Sequence, residues 1–122
     1  MESVWVSEQI GRPVIKVFNN IYAKRLLENG APKGTANRIA LPVAGNDASA
    51  KKTVMGVVDE IGFEPVDAGP PTESWQQQPG TPVYCADLDA ASVAKALVSA
   101  SPERTTQWTA TDQSPGSFEA PA

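Results

Sequence analysis

Apolar residues along the chain alternate between two patterns. Short β-branched runs are separated by stretches in which apolar positions recur with helical spacing. Residues 3–10 predict a short helix: Ser3 is placed to cap it, Gly11 to stop it, and Pro13 forbids its continuation. Residues 14–18, Val-Ile-Lys-Val-Phe, read as a strand buried on both faces, as in a parallel sheet. Asn20 suits the N-cap of a helix over 21–29, with Ile21, Ala23, Leu26 and Leu27 as its apolar stripe and Gly30 just past its end. Residues 31–37 have loop chemistry, and 38–44 read as a second strand. There Pro42 removes a ladder donor, so its amide position must face away from a partner or lie at an interruption.

The clearest helix follows at 47–61. Ala50, Val54, Val57, Val58 and Ile61 share one face, Lys51, Lys52, Asp59 and Glu60 the other, and Gly62 ends it. A third strand is expected at 63–67, with Pro65 inside it. Residues 72–86 read as an irregular segment with room for one helical turn. Asp87 or Asp89 caps a last helix that runs to about Ala100 and carries Val93, Leu97 and Val98 as apolar positions. The order is α-β-α-β-α-β-loop-α, which implies βαβ units and a mainly parallel sheet. Residues 1–100 form this unit; 101–122, rich in Ser, Thr, Pro, Gln and Ala, read as a disordered tail.

Composition narrows the chemistry. The chain has 122 residues, enough for one domain, and no histidine, which removes His-based triads and His-ligated zinc. Its single cysteine, Cys85, cannot close an intrachain disulfide and fits a reducing cytoplasm. It reads either as a small buried hydrophobe or as a reactive thiol. The net charge of −4 and scattered Lys and Arg argue against a nucleic-acid surface. No apolar run reaches the ~20 residues of a membrane span, and no secretion signal opens the sequence.

Ligands of open α/β sheets bind beyond the carboxyl ends of the strands. Three such ends are expected here, at 18–20, 44–47 and 67–69, and together they predict one polar, glycine-containing rim. Each residue also has an ordinary role: Asn20, Asn46 and Asp47 as caps, Gly45 and Gly69 as turn residues. No GxGxxG and no GxxxxGK[ST] is present, so the chain holds no recognised phosphate cradle. Asp47, Asp67, Glu73, Asp87 and Asp89 include no pair marked out for acid–base work. The stretch from Trp75 to Tyr84 reads as a lid over a substrate or as a plug in the core.

Three motifs in register carry a resemblance. They are Lys16-Val17-Phe18-Asn19-Asn20-Ile21-Tyr22-Ala23, then Leu41-Pro42-Val43-Ala44-Gly45-Asn46-Asp47, then Gly62-Phe63 with Val66-Asp67-Ala68-Gly69-Pro70. Together with Gln78-Pro79-Gly80-Thr81-Pro82-Val83-Tyr84 they resemble the second half of the NADPH-dependent F420 reductase family of NADP oxidoreductases. The resemblance covers about residues 3–100 and implies a partial, half-Rossmann α/β fold with three mainly parallel strands. It implies hydride transfer between NADP(H) and coenzyme F420 or a flavin. Family members carry a strand, a GxGxxG turn and further βα units before the Lys-Val-Phe-Asn-Asn region. This sequence shows no counterpart of that half. By the resemblance, Phe18, Asn19, Asn20 and Ile21 lie on the nicotinamide side, Gly45 and Gly69 end neighbouring strands, and Gln78 and Pro79 approach the deazaflavin. The implied partners are a missing N-terminal half, or a second copy paired through an open sheet edge as a non-catalytic module.

Overall fold

The computed structural model describes residues 2–101. The expected tail lies outside them except for Ser101. The elements run α1 (Glu2–Ile10), α2 (Ala23–Glu28), β1 (Ala40–Val43), α3 (Ala48–Glu60), β2 (Glu64–Asp67), a 3₁₀ helix (Pro71–Gln77) and α4 (Ala90–Ser99). β1 and β2 pair in parallel, Ala40 opposite Glu64 through Val43 opposite Asp67, with α3 as the crossover between them. The molecule is a mixed α/β unit whose two-stranded parallel sheet is flanked by helices.

The period-2 geometry of β1 divides the core. Ala40 and Ala44 pack with Ala68, Val83 and the α4 residues Val93, Ala96 and Leu97. Leu41 and Val43 point the other way, against Ile21, Phe63 and Val58 of α3. Small residues on one face let α4 approach closely; larger ones on the other fill the space under α3. The two helices begin as the sequence dictates. Asp47 Oδ1 accepts the Ala50 amide at 2.9 Å and Asp89 Oδ1 accepts that of Ser92 at 2.9 Å. Of the two candidate caps for the last helix, Asp89 is the one used.

Both strand prolines stand where no ladder donor is needed. The Glu64 amide donates to Ile39 O and the Ala68 amide to Val43 O, so alternate amides of β2 face β1 and the Pro65 position faces outward. On β1, the Ala40 amide donates to Leu88 O and the Ala44 amide to Lys16 O. The Pro42 position therefore faces the far edge of β1, between those two contacts.

The third parallel strand expected at 14–18 is not formed. Within that run one antiparallel bridge joins Lys16 to Ala44, with N···O distances of 2.8 and 3.0 Å. The exposed Pro13 precedes the run, and Phe18 ends it with a left-handed φ of 68°. The run thus has one bridged residue and a turn, too little for a ladder. Its direction matters more: antiparallel to β1, it leads Asn19 and Asn20 back along the strand, away from the Gly45 end.

Other expectations shift at element ends. Asn20 is not the cap of α2; Tyr22 holds that place with no side-chain bond, and Asn20 is buried. The irregular segment contains a two-turn 3₁₀ helix rather than a single turn. On α3, Val58 is buried, but Val57 and Ile61 remain 46% exposed. Gly62 has φ 108°, and a Cβ there would lie 2.7 Å from the Gly30 Cα and 2.8 Å from the Ala31 amide nitrogen. Only glycine allows the loop after α2 to pass this close to the end of α3.

Candidate functional site

The predicted site residues fall into two groups. Gly45 and Gly69 meet at the carboxyl ends of β1 and β2, where the Gly45 amide donates to Gly69 O at 2.9 Å. A Cβ on Gly45 would collide with the Cδ1 of Ile15, so this corner is closed by packing. Lys51 reaches over it from α3: its Nζ donates to Asp67 Oδ1 at 2.9 Å and to Gly69 O at 3.2 Å. The Gly69 amide donates to the same Asp67 oxygen at 2.9 Å.

The Lys51 ammonium, and after it the Gly69 N–H, hold the Asp67 carboxyl below its usual range. A folded pKa below the unfolded ~3.9 gives stabilisation that is complete above the unfolded value. It is lost as pH falls through the folded one. Thermal scans across the acid range should therefore show a flatter pH dependence in Asp67→Asn than in the parent. Parallel curves would show that the bond contributes nothing.

Phe18, Asn19 and Asn20 form the second group with residues from the 3₁₀ helix and the segment after it. Asn19 Nδ2 donates to Gln77 O at 2.7 Å, and Gln77 Nε2 donates back to Asn19 Oδ1 at 2.9 Å. Gln77 is fully buried and extends to Pro42 O at 3.5 Å, so it occupies the edge of β1 that no strand ladder covers. Lys16 Nζ, close by on the same edge, donates to Ser74 O at 3.3 Å. Asn20 is 4% exposed; its carbonyl accepts the Cys85 amide at 2.6 Å and its Nδ2 makes a long 3.5 Å contact to Val83 O.

Two observations set this second group apart. Four non-glycine residues have positive φ among those described, and three of them, Phe18 (68°), Cys85 (55°) and Asp87 (51°), lie in the two segments that the Asn20–Cys85 bond joins. Such conformations cost of order 1–3 kcal/mol each and cluster at functional sites. The buried side-chain atoms left without a partner among the described residues are Asn20 Oδ1, Gln77 Oε1 and Asp87 Oδ1. All three are oxygens. The region offers acceptors, and a complementary ligand brings N–H or O–H donors.

Ile21 is not available to a ligand: it is buried in the core with Leu41, Val43 and Phe63, and Phe18 packs against the same cluster. Gln78 and Pro79 are half-buried, and Gln78 O accepts the Thr81 amide and hydroxyl, closing a turn. The single rim expected from three strand ends is thus not assembled, because the antiparallel course of 14–18 separates Asn19 and Asn20 from Gly45 and Gly69. Gln77 was hidden in the Gln76-Gln77-Gln78 run; the glutamine expected at the site was its neighbour. Cys85 is half-buried, and burial pushes its thiol up, with hydrogen bonds to Tyr84 and Tyr22 opposing that shift. This favours the structural reading over a nucleophilic thiolate. No group of three or more acidic or cysteine side chains among the described residues is arranged to hold a metal ion. No helix among them is long and apolar enough to cross a membrane.

No protein-family model matches the chain. Over 69 residues, 57% of the chain, it is 44% identical to the protein YjhV of Escherichia coli (strain K12), of which this is 50%. The crystal structure of the hypothetical protein SMa0349 from Sinorhizobium meliloti superposes with a TM-score of 0.61 at 30% identity. That match covers 72% of this chain and 43% of the other. The chain spans about half the length of the curated relative it matches and less than half of this structural one.

Proposed function

We propose that this chain is part of an NADP(H)-linked oxidoreductase of the F420 reductase type, in which it supplies the nicotinamide side of the site. The observation that carries the reading is the pair of buried, unpartnered amide oxygens, Asn20 Oδ1 and Gln77 Oε1, beside the interlocked Asn19 and Gln77 side chains. A nicotinamide carboxamide carries an N–H₂ group, the donor such acceptors lack. The nicotinamide, when bound, supplies the hydride. The chain's own work is positional: Asn20 and Gln77 are buried, so the 18–20 turn has to part from the 3₁₀ helix before they accept from the carboxamide, while Gln77 holds Asn19 in place and Phe18 packs behind them. By resemblance, Gln78 and Pro79 face the deazaflavin or flavin that exchanges the hydride. No residue is asked to act as acid or base, so the absence of histidine is no obstacle.

The phosphate end of the dinucleotide does not fit this chain. The N-terminus of α3 is already capped by the Asp47 carboxylate, an anion where a phosphate would need donors. Affinity of the chain for NADPH is therefore expected to be weak and to reside in the nicotinamide. Titration of NADPH and of nicotinamide mononucleotide should move the side-chain amide NMR signals of Asn19, Asn20 and Gln77 with both ligands, at concentrations on the order of millimolar. Unmoved signals with either ligand at saturating supply would overturn the reading.

A non-catalytic module that pairs through its sheet edge is the alternative. The far edge of β1 is taken by Lys16, Gln77 and Leu88, which among the described residues leaves the outer edge of β2 for such pairing. That edge is four residues long and interrupted by Pro65, features that discourage strand addition.

A further inference from the structure

We propose that Asn29-Gly30, at the end of α2, is a site of self-modification: Asn29 converts to aspartate and isoaspartate through a cyclic imide, and the product loosens the junction between α2 and α3. The Gly30 amide nitrogen attacks Asn29 Cγ. A C–N bond forms, the Cγ–Nδ2 bond breaks, and ammonia leaves with the Gly30 proton. Water then adds to either carbonyl of the imide ring. One opening gives aspartate; the other gives isoaspartate, in which the main chain runs through the side-chain carbons. The reaction needs a reachable amide nitrogen and a following residue that leaves room for the ring.

Of the five asparagines in the sequence, Asn29 alone precedes glycine. Asn19 is tied to Gln77 and Asn20 is buried. Asn37 and Asn46 are exposed, but Arg38 and Asp47 follow them, and a Cβ there crowds the ring. Asn29 is exposed, and neither its side chain nor the Gly30 amide makes a hydrogen bond among the described residues. Ring closure needs the Asn29 ψ to turn from its 14°. The helix supplies that turn: α2 has six residues and buries none of them, so its last turn frays while Gly30 stays packed.

The surroundings give this surface reaction a structural consequence. A Cβ on Gly30 would lie 2.7 Å from Ile61 O, and one on Gly62 would lie 2.7 Å from the Gly30 Cα. The Ala31 amide donates to Gly62 O at 2.8 Å, and Ala31 O accepts from Arg38 Nε at 2.9 Å. Isoaspartate lengthens the main chain by one carbon, a bond of about 1.5 Å, immediately before this contact. The close approach leaves no room for it, so Gly30 and Ala31 must shift from Gly62. The new carboxylate also stands at the C-terminal end of α2 beside Glu28, where the helix dipole disfavours an anion. Its position is exposed, within reach of an enzyme that methylates isoaspartyl carboxylates.

The full 122-residue chain, incubated at mildly alkaline pH and mapped by mass spectrometry, should show the amide-to-acid mass change at Asn29 and at no other asparagine. Part of that product should accept a methyl group from an isoaspartyl methyltransferase. The modified fraction, separated by anion exchange, should melt several degrees below the unmodified chain. Asn29→Gln, incubated alongside, should form no acid at that position and keep its midpoint. Modification of the guanidinium-unfolded chain but not of the folded one would show that the end of α2 forbids ring closure, and modification spread equally over Asn37 and Asn46 would remove the selectivity. Either result overturns the site. A modified fraction that melts with the unmodified chain overturns the structural consequence.

Discussion

Arg38→Met is expected to lower the thermal midpoint by roughly ten degrees or more, the largest effect of any single charged-residue substitution in this chain. The Arg38 side chain is 4% exposed and makes four bonds. Nε donates to Ala31 O at 2.9 Å, NH1 to Asp59 Oδ1 at 2.7 Å and to Glu64 Oε2 at 3.1 Å, and NH2 to Asp59 O at 2.6 Å. One guanidinium thereby ties the loop after α2, the last turn of α3 and the first residue of β2 to the segment that enters β1. It also neutralises two carboxylates and satisfies a main-chain carbonyl at the end of α3. The bond to Arg38 holds the Asp59 carboxyl below its usual range, against the opposing effect of burial.

Methionine fills similar space but leaves two carbonyls and the part-exposed Asp59 carboxylate without that donor, and three segments lose the group that ties them together. Arg38→Lys should recover little, because a single ammonium cannot reproduce the planar fork. Arg25→Met is the control: Arg25 lies 3.4 Å from Asp87 with its side chain 43% exposed, and its loss should be nearly silent. Circular-dichroism melts decide the matter. An Arg38→Met midpoint within a degree or two of the parent would show that the network carries no stability.

Gln77→Ala is expected to destabilise the chain by about 2–4 kcal/mol and to abolish the nicotinamide-dependent shifts at Asn19 and Asn20. Truncation removes a fully buried side chain and leaves Asn19 Oδ1 without its 2.9 Å donor. The 3₁₀ helix then loses a bond that holds it to the 18–20 turn. Gln78→Ala should change stability by less than about 0.5 kcal/mol, since what anchors Gln78 is its main-chain carbonyl in the turn with Thr81. Urea titrations of the two variants give the stabilities, and the amide spectra give the binding. Equal effects from the two glutamines would remove the special place assigned to Gln77.

That contrast shows how far sequence pattern reaches. The helices α3 and α4 were legible because everything that specifies them is local: an aspartate cap, apolar positions at helical spacing, and a stop at Gly62 or Ser101-Pro102. The parallel pairing of β1 and β2 was equally accessible, since two short extended runs around one amphipathic helix have essentially one way to pack. Within three consecutive glutamines, by contrast, composition cannot say which one faces inward. The phase of the 3₁₀ helix, set by Pro70-Pro71 and by docking under β1, decided for Gln77.

The run at 14–18 marks the sharper limit. Its β-branched residues declare an extended segment buried on both faces; Ile15 and Val17 do pack against the core, but the segment is only half-buried. Whether such a segment runs parallel or antiparallel to its neighbour is settled only by where the chain can turn. Here the left-handed Phe18 and the Asn20–Cys85 bond made it antiparallel, which separated the asparagines from the glycine corner and placed them against Gln77. Local chemistry alone thus settled the Asp47 cap, the crossover helix, the exclusion of histidine chemistry and the lack of a phosphate loop. The strand direction, the buried partner of Asn19 and the close approach of Gly30 to Gly62 came from tertiary structure. They depend on contacts between residues far apart in sequence, and no local pattern encodes those.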